Sequence, residues 1–496
     1  MKKQILLTQL IFALLLSLSC ARSRSVQTSG ELSATFDKSL VYINASIDQY
    51  DGFQPWKRSP SADSVCYGTA VGPCQILTIA EPLANASLVQ IKIHSSGQFI
   101  PAAIKVIDYD LNLCLLEISA DSISTPLQTV IFTEEFKKGT ELQGRWLSSD
   151  AAVKTSRGFL DRAMVLPSPT SYQRTLSFVV SNVSRQTSRG ELYTSDGQAI
   201  GIAYSSSEQD VFLIPGEKIL QFLKQANHKE YIGYGTTGFN YFEFLDPTVR
   251  KYLKMPEDMK DGCLVSSVYS KGTGSESLKF NDVLLEIDGY PINAFGRYQH
   301  PLYGEISFEH LLQRHVVGEP INFVVWRDGK RLELSAKSQR FESSEMLVPY
   351  QQYDKQPEYM VLGGYVFQKL TRNYLRLWGD NWSGKVPPHL LHYYRDLSLK
   401  SDEKRKDIVI LSFVLPSEIN LGYQNLGRIV VKTFNGMETN KISDLIKAQN
   451  LFPDSPFHVI EFEQEYPTLV IPKEKLSQTN QAIAELYGIQ KTENIY

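Results

Sequence analysis

The segment Gly68-Thr-Ala-Val71-Gly72-Pro73-Cys74-Gln75-Ile76-Leu77-Thr78-Ile79-Ala80-Glu81 is two short apolar runs hinged at Gly72-Pro73. Glycine and proline there supply the backbone freedom and the fixed φ of a tight turn, so the segment predicts a β-hairpin. The same rhythm continues outward. Val89, Ile91 and Ile93 alternate with Gln90, Lys92 and His94, and Leu113-Cys-Leu115-Leu116-Glu-Ile118 forms another short run. Period-2 alternation divided by turn residues from residue 38 to about 215 predicts a β-barrel or sandwich. Ile219, Leu220, Phe222 and Leu223 then place an apolar stripe on a predicted helix, Gly216 to Gln225, which closes a first unit at 38–228. Residues 229–340 mix strands with a helix near Pro247 to Leu253, and Asp288-Gly289 is a turn between two short strands, giving an α+β unit. Residues 341–358 are polar and without period and read as a linker. The third unit, 359–496, repeats the strand-turn pattern in Val430 to Met437, so the last two units read as distant repeats of one module.

With 496 residues, 42% of them hydrophobic, the chain can fill about three ordinary cores, which excludes disorder as its main state. Its 51 basic and 54 acidic residues give a net charge of −3, so no single-sign field exists to hold nucleic acid. Five cysteines without a CxxC or Cys/His cluster exclude a disulfide scaffold and a structural metal, and no cofactor motif is present. Lys2 and Lys3 precede an apolar run from Ile5 to Leu18, shorter than a membrane span. That layout predicts a signal peptide over 1–19. Ser17-Leu18-Ser19-Cys20 resembles a bacterial lipobox, with Ser17 departing from the usual leucine. The resemblance implies lipidation at Cys20, a tether over 20–37, and a lipoprotein of the bacterial cell envelope facing the periplasm or the cell surface. Plain secretion and an uncleaved anchor are the alternatives.

Val41-Tyr-Ile-Asn-Ala45, Pro55-Trp56, the hairpin at 68–78, Phe212-Leu-Ile-Pro215 and the helix after it resemble, in order, the protease domain of the HtrA/Deg family. Tyr303 to His310 and Gly379-Asp-Asn-Trp382 are similar to segments of the plant-type members with two unequal PDZ domains. The resemblance implies a mainly β chain: a chymotrypsin-like double β-barrel followed by two PDZ-like α+β domains. It also implies homo-oligomeric assembly and binding of unfolded or C-terminal protein segments.

Three catalytic positions can be compared with the family's patterns. Glu81 stands in Thr78-Ile-Ala-Glu81 where the family has its histidine. Asn112 stands in Asn112-Leu-Cys-Leu-Leu116 where it has aspartate. Ser188 is retained in Gln186-Thr-Ser188-Arg-Gly-Glu-Leu192, but both its neighbours and the glycine two before it are replaced. A serine nucleophile needs a base, a group to orient that base, and N–H donors for the oxyanion. A carboxylate of ordinary pKa is a poor base for a hydroxyl, and Asn112 carries no charge to stabilise an imidazolium. Gln186 removes the glycine freedom of the oxyanion turn. His94, the only histidine between residues 30 and 225, reads as a solvated strand-end residue against the alternative of a base. The resulting expectation is a protease scaffold without protease chemistry. The rival readings are an endopeptidase using Ser188 with an unorthodox base, and a surface adhesin or regulator of another HtrA protease.

Cys66 and Cys74 flank the hairpin out of register for a disulfide. Cys114 and Cys263 read as core residues, and His389 with His392 as an exposed helix face lacking a third metal ligand. In the first PDZ-like unit, Thr237, Gly238, Phe239, Asn240 and Tyr241 are the expected carboxylate loop and peptide-pairing strand, facing a helix at Phe308 to Leu312. Ile232-Gly233-Tyr234 is an alternative register, and loss of peptide binding is the bland alternative. The second unit has Gly363-Gly364-Tyr365-Val366 at the equivalent point, followed by an insertion from Leu370 to Lys406.

Overall fold

A computed structural model describes residues 36–94, 97–400 and 404–496. The signal segment, Cys20 and the tether up to residue 35 lie outside the described residues.

Twelve strands form two closed barrels. The first comprises β1 (Leu40–Ile47), β2 (Ala62–Gly72), β3 (Gln75–Ile79), β4 (Ala86–Ile93), β5 (Ile100–Asp108) and β6 (Leu113–Glu117), closed in the order β1-β2-β3-β6-β5-β4. The second comprises β7 (Glu141–Leu147), β8 (Val153–Pro167), β9 (Arg174–Ser181), β10 (Leu192–Ser195), β11 (Gln198–Ser206) and β12 (Asp210–Pro215), closed as β10-β11-β12-β9-β8-β7. Closure removes every sheet edge, so all ladder groups are paired. The predicted hairpin is present, with Gly72 opposite Gln75.

The unbroken apolar run in β6 has a physical reason. Cys114 and Leu116 point into the first barrel with Ile43, Ile76 and Ile91. Leu113 and Leu115 point the other way, into a seam shared with Leu192, Ile202 and Ile214 of the second barrel. A strand buried on both faces cannot alternate with polar residues. Helix α1 (Gly216–Ala226) docks its Ile219 and Phe222 into the same seam. His94 is exposed just past the end of β4, as its polar phase predicts.

The second unit is a sheet in the order β13 (Phe239–Phe242), β14 (Cys263–Val268), β15 (Val283–Ile287), β19 (Pro320–Arg327), β20 (Lys330–Lys337). Beside it lie β16 (Tyr290–Pro291), the hairpin β17 (Arg297–His300) and β18 (Gly304–Ser307), α2 (Pro247–Tyr252) and α3 (Glu309–Leu312). Its core merges with that of the second barrel: Phe239, Val265, Phe308 and Phe323 belong to the same apolar cluster as Leu142, Phe178 and Leu213. A buried polar network ties the two further. The His310 imidazole bonds to Glu217 of α1 at 2.8 Å and to the Tyr298 hydroxyl at 2.6 Å, while the Tyr303 hydroxyl donates to Glu217 at 2.9 Å.

The third unit centres on a second mixed-length sheet in which Ile429–Phe434, the turn at Asn435-Gly436 and Met437–Glu438 repeat the β15–β16 geometry. Its insertion, 370–406, contains short helices at Arg372–Leu375 and Pro388–His392. The stretch 341–358 is not a free linker. Phe341, Met346, Leu347 and Val348 are buried, and apolar side chains so placed turn a polar-looking segment into a packed strap.

Candidate functional site

Two of the three compared positions, Glu81 and Asn112, are bonded neighbours between β3 and β6, while the loop of the retained Ser188 is stitched to β2 of the same barrel. β3 ends in a single helical turn, Glu81–Leu83, anchored by the fully buried Leu83. Asn112 occupies the turn before β6 with a left-handed φ of 55°, a conformation that asparagine tolerates better than most residues. Its Oδ1 accepts the backbone N–H of Glu81 at 2.9 Å, and its carbonyl accepts that of Ala80 at 3.2 Å. The two positions are therefore adjacent, but the carboxamide holds the backbone of residue 81 and orients no base. Its Nδ2 is buried without a partner among the described residues. Burial raises the Glu81 carboxyl above its ordinary value, opposed by the guanidinium groups of Arg189 and Arg376.

Ser188 is half-buried, and no hydrogen bond joins its hydroxyl to Glu81, Asn112 or an imidazole among the described residues. Its loop is fastened on every side. Gln186 Nε2 donates to the carbonyl of Ser207 at 2.7 Å, and the Thr187 hydroxyl lies 2.7 Å from that of Tyr193. The Arg189 carbonyl accepts the Tyr67 N–H at 2.7 Å, and Arg189 Nη1 donates to the Val65 carbonyl at 2.9 Å, stitching the loop to β2. Gly190 is required: its φ is 97°, and a Cβ there would lie 2.2 Å from the Tyr67 carbonyl oxygen.

The group that defines this loop is Glu191, a residue that sequence reasoning did not single out. It is 4% exposed. Burial pushes its carboxyl up to about 7, against the pull of the N–H groups of Arg189, Glu191 itself and Ser188; the Arg189 N–H donates to Oε2 at 2.7 Å. The N–H of a serine nucleophile is one of the donors an oxyanion needs. Here the loop that carries the serine is closed by an internal carboxyl bonded to the N–H of the following residue, Arg189. The neighbouring thiols are inert, since burial pushes Cys66 up to about 12 and also raises Cys114. Among the described residues Cys66, Cys74, Cys114 and Cys263 carry free thiols.

In the second unit the loop leads into β13 at Phe239, which favours the Thr236–Phe239 register; Tyr234 pairs instead with Val316. The loop N–H groups already have acceptors. Thr236 donates to the Gln339 carbonyl, Thr237 to Gln173 Oε1 of the barrel at 3.1 Å, and Gly238 to the Thr273 carbonyl at 3.0 Å. Between β13 and α3, Phe308 stacks on Phe239 and packs against Tyr241, with centroids 5.7 and 4.7 Å apart. Asn240 is exposed, its Nδ2 donating to Ser267 Oγ at 3.1 Å. In the third unit, Tyr359–Leu362 pairs with Tyr365–Lys369 across the Gly363-Gly364 turn. The edge on which a peptide strand would add is thus covered by the chain itself. His389 bonds to the Arg428 carbonyl and His392 to Asp396, and no metal-holding cluster occurs among the described residues.

Two closed six-stranded barrels trailed by an α+β module define a trypsin-like protease fold of HtrA type. Residues 348–494 match the family described as PDZ domain. The mitochondrial Do-like 3 protein of Arabidopsis thaliana is 26% identical over 412 residues, 80% of this chain and 69% of its own. The chloroplastic protease Do-like 2 of the same plant is 23% identical over 470 residues, 92% of this chain and 74% of its own. A solved HtrA-type protease with a decapeptide superposes with a TM-score of 0.50 at 15% identity, covering 63% of this chain and 97% of its own. In sequence and in fold the chain is similar to proteases of the HtrA/Deg family.

Proposed function

We propose that this chain is a pseudoprotease: it keeps the HtrA scaffold, does not cleave, and binds unfolded or C-terminal protein segments as a chaperone or scaffold in protein quality control. The observation that carries the reading is Glu191. With the base replaced by Glu81, the orienting carboxylate by Asn112 and the glycine of the oxyanion turn by Gln186, the loop of the retained serine is also closed on itself by a buried carboxyl that accepts the N–H of Arg189, the residue after the serine. No single substitution separates this arrangement from a working site.

Peptide capture is the reading for the modules. The solved HtrA-type protease is one with a decapeptide, and among the described residues β13 pairs on one side only, with β14, which leaves its other edge for an added strand. Engagement of a terminal carboxylate at Thr237 requires the Gln173 carboxamide to swing away. The lipobox-like Ser17-Leu18-Ser19-Cys20 supports tethering of this body to a bacterial envelope membrane through Cys20. The test is suppression of aggregation of a heat-denatured protein. The full chain and its Ser188→Ala variant are expected to suppress light scattering equally, and no suppression by either would reject the chaperone reading.

A further inference from the structure

The strap at 341–358 is seated on the barrels through two consecutive side chains. The Tyr353 ring stacks on Tyr109, in the β5–β6 turn, with centroids 3.8 Å apart and planes 13° from parallel. Its hydroxyl donates to the carbonyl of Thr170, in the β8–β9 turn, at 3.0 Å. The Asp354 carboxylate accepts the Tyr109 hydroxyl at 2.6 Å and the backbone N–H of Asn85 at 2.7 Å, and its own N–H donates to Asn85 Oδ1 at 2.8 Å. Three barrel turns thus present a ring face, an acceptor for a hydroxyl, two donors for a carboxylate and an acceptor for a backbone amide. All of these are polar or half-exposed, and together they read an aromatic residue followed by an acidic one.

These turns border the degenerate centre, since Asn112 lies just beyond Tyr109 and bonds to Glu81, and Asn85 lies just beyond Glu81. Asp354 holds a left-handed φ of 58°, which a residue with a side chain adopts only at a cost. The strap meets that cost because it is tethered: an intramolecular ligand acts at an effective concentration on the order of millimolar.

We infer that this is a recognition site for an extended peptide carrying an aromatic residue followed by an acidic one, and that Tyr353-Asp354 is its resident occupant. The site is separate from both PDZ-type units and does not depend on the chemical state of Ser188. A peptide of the same chemistry enters when the strap is displaced.

The test uses the full chain in mild detergent, its Tyr353→Ala/Asp354→Ala variant, and a fluorescein-labelled peptide with the sequence of residues 351–356, Gln-Gln-Tyr-Asp-Lys-Gln, read by anisotropy. The double variant is expected to bind at least about tenfold more tightly than the wild-type chain. A peptide with Ala and Asn in place of its Tyr and Asp is expected to bind neither, and Tyr109→Ala added to the double variant is expected to abolish binding. A double variant that keeps its cooperative thermal transition but binds no better than wild type would overturn the inference, as would binding that survives Tyr109→Ala. Where the double variant unfolds, Asp354→Ala alone, which preserves the ring stack, is judged by the same comparison.

Discussion

The backbone N–H of Arg189 donates to Glu191 Oε2 at 2.7 Å, so the residue after the retained serine is bonded to a carboxyl buried within its own loop. This short contact closes the loop on itself and, on the proposed pseudoprotease reading, adds a third place to the two replaced positions, Glu81 and Asn112.

Repairing two of those places is therefore not enough. Glu81→His with Asn112→Asp restores a base and a charged orienting group but leaves Glu191 and Gln186 in the oxyanion turn. Casein hydrolysis by this double variant is expected to stay at background, because loss of an oxyanion donor alone costs about 10²–10³ in rate. Hydrolysis rising well above background would show the turn to be competent.

Glu191 also sets a pH signature. Its carboxyl is raised from 4.5 to about 7 in the folded chain, so the native state holds a proton that the unfolded state releases between those values. Stability falls as pH rises across that window, by about 3 kcal/mol from this group. Glu191→Gln is expected to flatten that slope, and the variant should gain roughly 2 kcal/mol over wild type at pH 8 in urea unfolding.

The opposite slope comes from His310. Burial lowers its imidazole to about 4 although Glu217 accepts its Nε2–H, and the same contact holds Glu217 well below the usual carboxylate range. An imidazole kept neutral in the native state binds its proton first in the unfolded one, so stability drops as pH falls from 6.5 towards 4. The junction of α1 with the second unit is expected to loosen there, seen as faster amide exchange at residues 216–226 in the wild type and a flatter profile in His310→Gln.

Much of the barrel was legible because its strands bury one face or both: Val89, Ile91 and Ile93 betray the first case, and Leu113 to Leu116 the second. The paired turns at Asp288-Gly289 and Asn435-Gly436 were legible because both need residues that tolerate left-handed backbone. Flanking motifs singled out Glu81, Asn112 and the retained Ser188, and the structure bonds Asn112 to the backbone of Glu81. Glu191 could not, since one acidic residue after Arg-Gly carries no sign that it folds back onto its own loop. The strap was misread for a different reason. Tyr353 and Asp354 find their partners at Tyr109, Asn85 and Thr170, more than 180 residues away, and such contacts leave no local period. The acceptor supplied to Thr237 by Gln173 was hidden in the same way.

Gly190 tests the stitching of the serine loop to β2. Gly190→Ala would combine a left-handed φ with a Cβ 2.2 Å from the Tyr67 oxygen. A loss of about 3 kcal/mol or more in urea unfolding is expected. Wild-type stability in this variant would mean that the loop is free of β2.

The central claim is that Ser188 does no chemistry. Casein incubated with the purified full chain, beside its Ser188→Ala variant, tests this most directly. Equal, background-level fragmentation by two equally folded proteins is the predicted result. Cleavage by the wild-type chain that disappears in Ser188→Ala would contradict it.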